Sequence, residues 1–413
     1  MSKFGYFMGV ATVAIASGLL PSAAMAQGGV ETATASEAVE DGGIVVTARR
    51  REERLVDVPI AISAFGSEAI SDRGLTSVVS VAQQTPGLQF DRGATAGDIR
   101  PSLRGIALIE GRSNVAIIVD GIDVTGVSLN TTIGGGGSQT STTLMDLERI
   151  EVVKGPQTVY VGRSAFAGAI QFVRKEPAFT PGASVQAAGG DYSRREITAN
   201  ITGPVIGDTV AAKISGTYRN FGGFYRNPGN SMGLGASEVW GVGGSVLVRS
   251  GGFKGKFLLN YMHEQSSPIG AFVIQRPDIT QFGVNRFTEA TFDESLVGIS
   301  SNIRYKGNDA KTLRGVANLE YALGSGWEIN AITGLNKVKS IDQYDFDTKT
   351  ANTPSGTELP GGLLNCLPGV CVGIGDFDGD LQQVSQELRL SYDAGSMRFL
   401  LGGYFFDENF TQL

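Results

Sequence analysis

Histidine is almost missing from this chain: His263 is the only one in 413 residues. An imidazole-based metal site needs several such ligands, and a Ser–His–acid triad needs a histidine placed beside its nucleophile. His263 falls in a stretch that reads as a strand, without a catalytic constellation around it. The sequence therefore predicts no enzymatic activity, no metal centre and no cofactor. Positive charge is also short. The 34 Lys and Arg against 41 Asp and Glu leave a net charge of −7, which argues against nucleic acid as a partner. Beyond the N-terminus there is no apolar run of about 18 residues, so a second helical membrane span is not expected. A phosphate loop is missing too. Residues 131–138 carry four consecutive glycines, but neither they nor Gly162-Arg163-Ser164 end in Gly-Lys-Ser/Thr, and both read as loops.

Glycine is plentiful instead, with 58 residues, about twice the usual share. Without a collagen period this fits many turns and strands. Residues 1–26 read as a secretory signal peptide, with Lys3 in the n-region, an apolar run over 7–20 and Ala24-Met25-Ala26 as the cleavage site. Residues 27–43 lack periodicity and are expected to be a flexible tail. Next comes a β-prone patch, Ile44, Val45, Val46, Thr47 and Ala48, followed by the charged run Arg49-Arg50-Arg51-Glu52-Glu53. Such a patch is too isolated to make a core by itself. It is either a first strand of the following domain or a strand lent to the exposed edge of another protein's sheet. Cys366 and Cys371 sit in a Gly/Pro-rich stretch, and in an exported protein they favour a local disulfide over a metal site.

Residues 147–177 form a strand–turn–strand unit, broken by Gly155-Pro156 and resumed by the apolar run 169–173. Upstream, Val115–Val119 is a β-branched strand ending in the turn signal Asp120-Gly121. Residues 56–65 read as a strand and 67 onwards as a helix capped by Ser67. Residues 77–84 read as a second helix and 88–90 as a short strand. After 183 the pattern changes to amphipathic strands of around ten residues, at 184–190, 197–201, 212–218, 239–249, 253–263, 312–323, 327–338, 383–392 and 397–408. The connections alternate short and long, apart from a tight first link near 191–192. Outer-membrane barrels have this asymmetry, with short periplasmic turns and long outer loops. Asp376, Asp378 and Asp380 alternate as in a calcium loop, but the Glu of that motif is out of place. Ion binding and a plain acidic outer loop both remain open.

The motifs IRPSLRGI (99–106), IIVDGI (117–122) and LERIEVVKGPQ (147–157), with Tyr160, Gly162-Arg163 and Gly168-Ala169-Ile170, occur together and in order. This combination resembles the plug domain of TonB-dependent outer-membrane receptors. Two departures are modest: Val161 stands where the family has Tyr before Gly-Arg, and Ala167 where it has Gly. The resemblance implies an α+β plug over 49–177 followed by antiparallel transmembrane β-barrel strands over 183–413. It also implies the outer membrane of a Gram-negative bacterium as location. The patch 44–48 resembles the TonB box, which implies TonB and its inner-membrane energising complex as partners, beside outer-membrane lipid. A ferric siderophore is the implied ligand class, taken up by TonB-driven remodelling of the plug.

If the plug lies inside a barrel, Arg100, Arg104, Glu148, Glu151, Arg163 and Arg174 are candidates for plug–barrel contacts in a wet lumen. The other reading is salt bridging on the plug surface. A plugged lumen goes with about 22 strands, so about nine predicted strands suggest the N-terminal part of a longer receptor. The rival function is a truncated surface ligand-binding or adhesion module without active transport.

Overall fold

A computed structural model of the chain describes residues 11–13, 44–47, 50–75, 77–92, 99–106, 111–128, 145–226, 231–267, 271–274, 297–300, 307–345, 374–394 and 397–412. Two sheets organise them. The first belongs to the plug and contains β1 (Ile62–Gly66), β2 (Val115–Val119), β3 (Ile122–Asp123), β4 (Leu147–Lys154) and β5 (Gly168–Arg174), in the spatial order β1-β4-β5-β2-β3. Its pairings are antiparallel except β5 with β2, which run parallel with Ile170 opposite Ile117. All five residues of β2 are buried, as expected of an apolar run covered on both faces. Asp120 and Gly121 both adopt positive φ (49° and 91°), the two-residue turn that folds β3 back onto β2. Ile150, Val152, Ile170 and Phe172 fill the core beneath helix α1 (Ser67–Asp72) and helix α2 (Val78–Gln83).

The second sheet is a wall of nine long antiparallel strands in sequence order: β6 (Gly182–Gly190), β7 (Arg194–Ile206), β8 (Val210–Phe221), β9 (Ser237–Ser250), β10 (Phe253–Ser266), β11 (Asn308–Gly324), β12 (Trp327–Asp345), β13 (Ile374–Ala394) and β14 (Met397–Gln412). The segment Ala11–Val13 pairs along β6. Residues 207–209, 251–252 and 325–326 make tight turns at one end. The long connections 222–236, 267–307 and 346–373 leave from the other. Period-two alternation gives the wall two faces. On β8, Ala211, Lys213, Ser215 and Thr217 are buried on the inner face while Ile214 and Tyr218 are exposed. The outward face carries Ile201, Val246, Leu259, Leu335 and Leu401, an apolar band suited to lipid. Aromatic pairs mark its rims: Trp240 with Tyr261 (5.3 Å) towards the long loops and Trp327 with Tyr392 (4.8 Å) at the turns.

Several local expectations need correction. The strand expected over 56–65 is a 3-10 turn, Leu55–Asp57, followed by β1; Pro59 lacks the N–H that a strand needs. Ser67 is the first residue of α1, and Gly66 occupies the N-cap. Ser77 does cap α2, in a reciprocal pair with Ser80. The acidic run 376–380 is not a loop: it lies within β13, with Asp376 opposite Gln343, so its extended backbone cannot wrap a cation. The expected disulfide, Cys366 with Cys371, and the glycine run 134–137 lie outside the described residues.

Candidate functional site

The segment leading into the plug is held rather than loose. Val45–Val46 pairs with Glu53–Arg54, and Val46 is 1% exposed. The isolated patch therefore gains a partner strand and a cover. Beside it, the backbone N–H of Thr47 donates to both carboxylate oxygens of Glu151 (2.9 and 3.0 Å). The Thr47 hydroxyl donates to Glu151 as well, and accepts from Arg149 Nη2 (3.2 Å) and Gln171 Nε2 (2.7 Å). Arg149 Nε closes the cluster on Glu151 at 2.8 Å. Glu151 is fully buried, and these donors are what its charge needs there. Arg50 then ties the segment to both bodies. Its guanidinium donates to the carbonyls of Tyr160 and Gly121 in the plug and pairs with Glu387 of β13 at 3.3 Å.

The Asp120–Thr125 turn is clamped against the wall at both ends. Arg174 binds Asp120 through Nε (2.5 Å) and reaches Asn260 of β10 (3.2 Å). Arg163 binds Asp123 (3.0 Å), extends to Glu408 of β14 (3.5 Å), and lies over the Phe406 ring. Glu408 also accepts from Arg112 and from Gln383 Nε2 (2.7 Å), while Gln383 donates to the Thr125 carbonyl (3.1 Å). The two carboxyls respond differently. Burial raises the Asp120 pKa, but Arg174 and Lys256 outweigh it and hold the group below its ordinary value. For Asp123 burial prevails over Thr125 and Arg163, and its pKa is raised.

A third clamp lies at the short-turn end. Asp146 pairs with Lys213 and accepts from Ser215 (3.1 Å) on β8. Glu176 meets Lys254 (3.1 Å) and Arg249 (3.3 Å). Burial raises the Glu176 pKa, but Lys256 and Lys254 outweigh it, so the net shift is downward.

Of the six charged residues singled out in the sequence, Arg163 and Arg174 reach both plug and wall. Glu151 instead holds the leading segment. Glu148 pairs with Arg149 inside the plug (2.8 Å). Arg104 itself adopts the left-handed conformation (φ 55°), and its side chain runs past Gly87 and Gly155 of the plug. Arg100 sits on the hairpin of Leu88–Arg92 with Ile99–Leu103, opposite Asp91. The reading missed Arg50, Arg112, Asp120, Asp123, Asp146 and Glu176, together with their wall partners. The wall partners had a signal: Lys213, Lys256, Asn260, Arg314 and Asn336 all stand at inward positions of amphipathic strands, where a polar group needs a partner inside.

The TonB-dependent receptor plug domain matches residues 54–169. The ferrioxamine B receptor of Salmonella typhimurium is 29% identical over 169 residues, covering 40% of this chain and 22% of that protein. The catecholate siderophore receptor Fiu of Escherichia coli is 27% identical over 224 residues, covering 52% of this chain and 26% of that protein. Among solved structures, the ferric yersiniabactin uptake receptor FyuA from Yersinia pestis superposes with a TM-score of 0.64 at 18% identity, over 86% of this chain and 49% of FyuA. The chain thus spans about a quarter of the length of these curated relatives and about half of FyuA.

Proposed function

We propose that the chain, whose residues 54–169 match the TonB-dependent receptor plug domain, is a receptor of that kind in the Gram-negative outer membrane and serves energy-dependent uptake of a scarce ligand, with ferric siderophores as the ligand class. The siderophore class rests on the names of its relatives, which are receptors for ferrioxamine B and for catecholate siderophores. The TonB role rests on the geometry of the leading segment. In this reading Ile44, Val45, Val46, Thr47 and Ala48 are drawn out as a strand by TonB, and the pull is passed to the plug.

The carrying observation is that Thr47 is fastened to the plug by hydrogen bonds on one buried carboxylate. Each hydrogen bond to a charged group contributes about 1.5–3 kcal/mol net, because water replaces part of it when it breaks. A mechanical pull can therefore release the segment without tearing open an apolar core. The plug's seat on the wall includes polar contacts of the same kind, from Arg163, Arg174, Asp146 and Glu176 to polar groups of β8, β10 and β14, beside apolar contacts with Leu258, Val316 and Ile332. Water entering the lumen can replace the polar ones.

Deleting 44–48 tests the proposal. Cells carrying the deletion should bind ferric siderophore at their surface as before and fail to accumulate it. Accumulation at the wild-type rate would overturn the assignment of the leading segment.

A further inference from the structure

Two buried arginines, one from each body, lie at the boundary between plug and wall, and Asn260 connects their places. Arg174 ends β5 of the plug, and Arg314 points inward from β11; they are 9% and 4% exposed. Arg174 Nη1 donates to Asn260 Oδ1 at 3.2 Å, and Asn260 is the register partner of Arg314 across β10 and β11. The two guanidiniums therefore occupy neighbouring places on the inner wall, each within the other's field.

Their counter-charge is incomplete. Asp120 is the carboxylate that acts on both, and Arg174 already takes its oxygens, with Nε on one and the backbone N–H on the other. Arg314 Nε is answered by the neutral Asn336 Oδ1 at 3.2 Å. Lys256 adds positive charge near Asp120 and is shared with Glu176 at 3.9 Å. The Nη2 atoms of Arg174 and Arg314 are both shut off from solvent, and neither has a hydrogen-bonding partner among the described residues. A buried guanidinium N–H without an acceptor is costly, and two like charges at close range add to that cost.

We propose that Arg174 and Arg314 hold a small monovalent anion of halide size between the plug and the wall. One negative charge balances two guanidiniums against one carboxylate. A small ion is favoured because both Nη2 atoms are closed off from solvent. With one arginine on each body, the anion acts as a bridge that forms only when the plug is seated. The proposal does not depend on which ligand the receptor carries.

Crystals of the protein grown in sodium bromide give the direct test. An anomalous bromine peak is expected between Arg174 Nη2 and Arg314 Nη2, and its absence overturns the proposal. In solution, the melting temperature in detergent should be higher in sodium chloride or bromide than in sodium gluconate at equal ionic strength. That difference should vanish in Arg314→Gln. Equal melting of the wild type in all three salts overturns the site, as does a halide effect without bromine between the two arginines. If Arg314→Gln does not fold, the two wild-type measurements still decide.

Discussion

Thr47 and Glu151 are 104 residues apart in sequence, yet the Thr47 backbone N–H donates to both Glu151 carboxylate oxygens, at 2.9 and 3.0 Å. One side chain of the central plug strand β4 thus fixes the segment that precedes the plug. Glu151→Ala leaves Arg149 and the Thr47 N–H without their shared acceptor. Breaking a buried pair of this kind costs about 3–5 kcal/mol. Amide hydrogen exchange at Val46 and Thr47 should accelerate while Val119, deep in the plug sheet, stays protected. Thr47→Val keeps the backbone bonds and loses only the hydroxyl contacts, so about 1 kcal/mol is expected. Unchanged protection of Thr47 in Glu151→Ala would show that the carboxylate does not hold the segment.

Arg163 and Glu408 link the plug to β14, and a double-mutant cycle measures that link. Glu408→Gln should cost more than Arg163→Gln, because Glu408 also serves Arg112 and Gln383. The coupling between the two should fall at about 0.5–3 kcal/mol, the range for directly contacting residues. Denaturant unfolding of the two single variants and the double variant supplies the numbers. Strict additivity would contradict a contact between them.

Gly334 on β12 lies close against Ile122, beside the Asp120-Gly121 turn. A Cβ there would stand 2.5 Å from Ile122 Cγ2. Gly334→Val is therefore expected to lower stability by about 1–3 kcal/mol through overpacking. Ser385 Oγ would be equally close, at 2.5 Å, so adding Ile122→Ala removes one of the two groups that are struck and should restore part of the loss. Thermal melts of the wild type, Gly334→Val and the pair decide, and absence of any rescue would place the strain elsewhere.

Acid should loosen the plug. Asp120 and Glu176 are held below their ordinary values of 3.8 and 4.5. The stability they contribute is present above those unfolded values and is lost as pH falls through the lower folded ones. Asp123 runs the other way: its raised folded pKa favours the folded state at low pH, an advantage lost as pH rises through that pKa. The melting temperature should therefore hold from neutral pH to about pH 5 and drop below the ordinary carboxylate range. Glu176→Gln should make that drop shallower, and an unchanged profile would assign the acid sensitivity to other carboxylates.

Much of this architecture is legible in the chain itself. A strand with one face towards lipid and the other towards a wet interior must alternate residue by residue, so each wall strand announces itself locally. The β-branched run Val115–Val119 and the turn Asp120-Gly121 are local signals of the same kind. The predicted strands fall inside the observed ones but are shorter, because pairing with a neighbour extends a strand beyond the point where its own alternation fades. The run 376–380 shows this: its acidic residues suggest a loop, and pairing with β12 makes it strand.

Partnership was decided by tertiary structure alone. Asn260 reaches Arg174 across 86 residues, and Glu408 reaches Arg112 across 296. Inward alternation says that such a side chain faces the lumen. Strand register and the depth at which the plug sits then choose which plug charge it meets. The same holds for Thr47 and Val46: a short apolar patch beside a run of charges has too little surface to bury by itself, and only the assembled face of β4 and β5 gives it somewhere to lie.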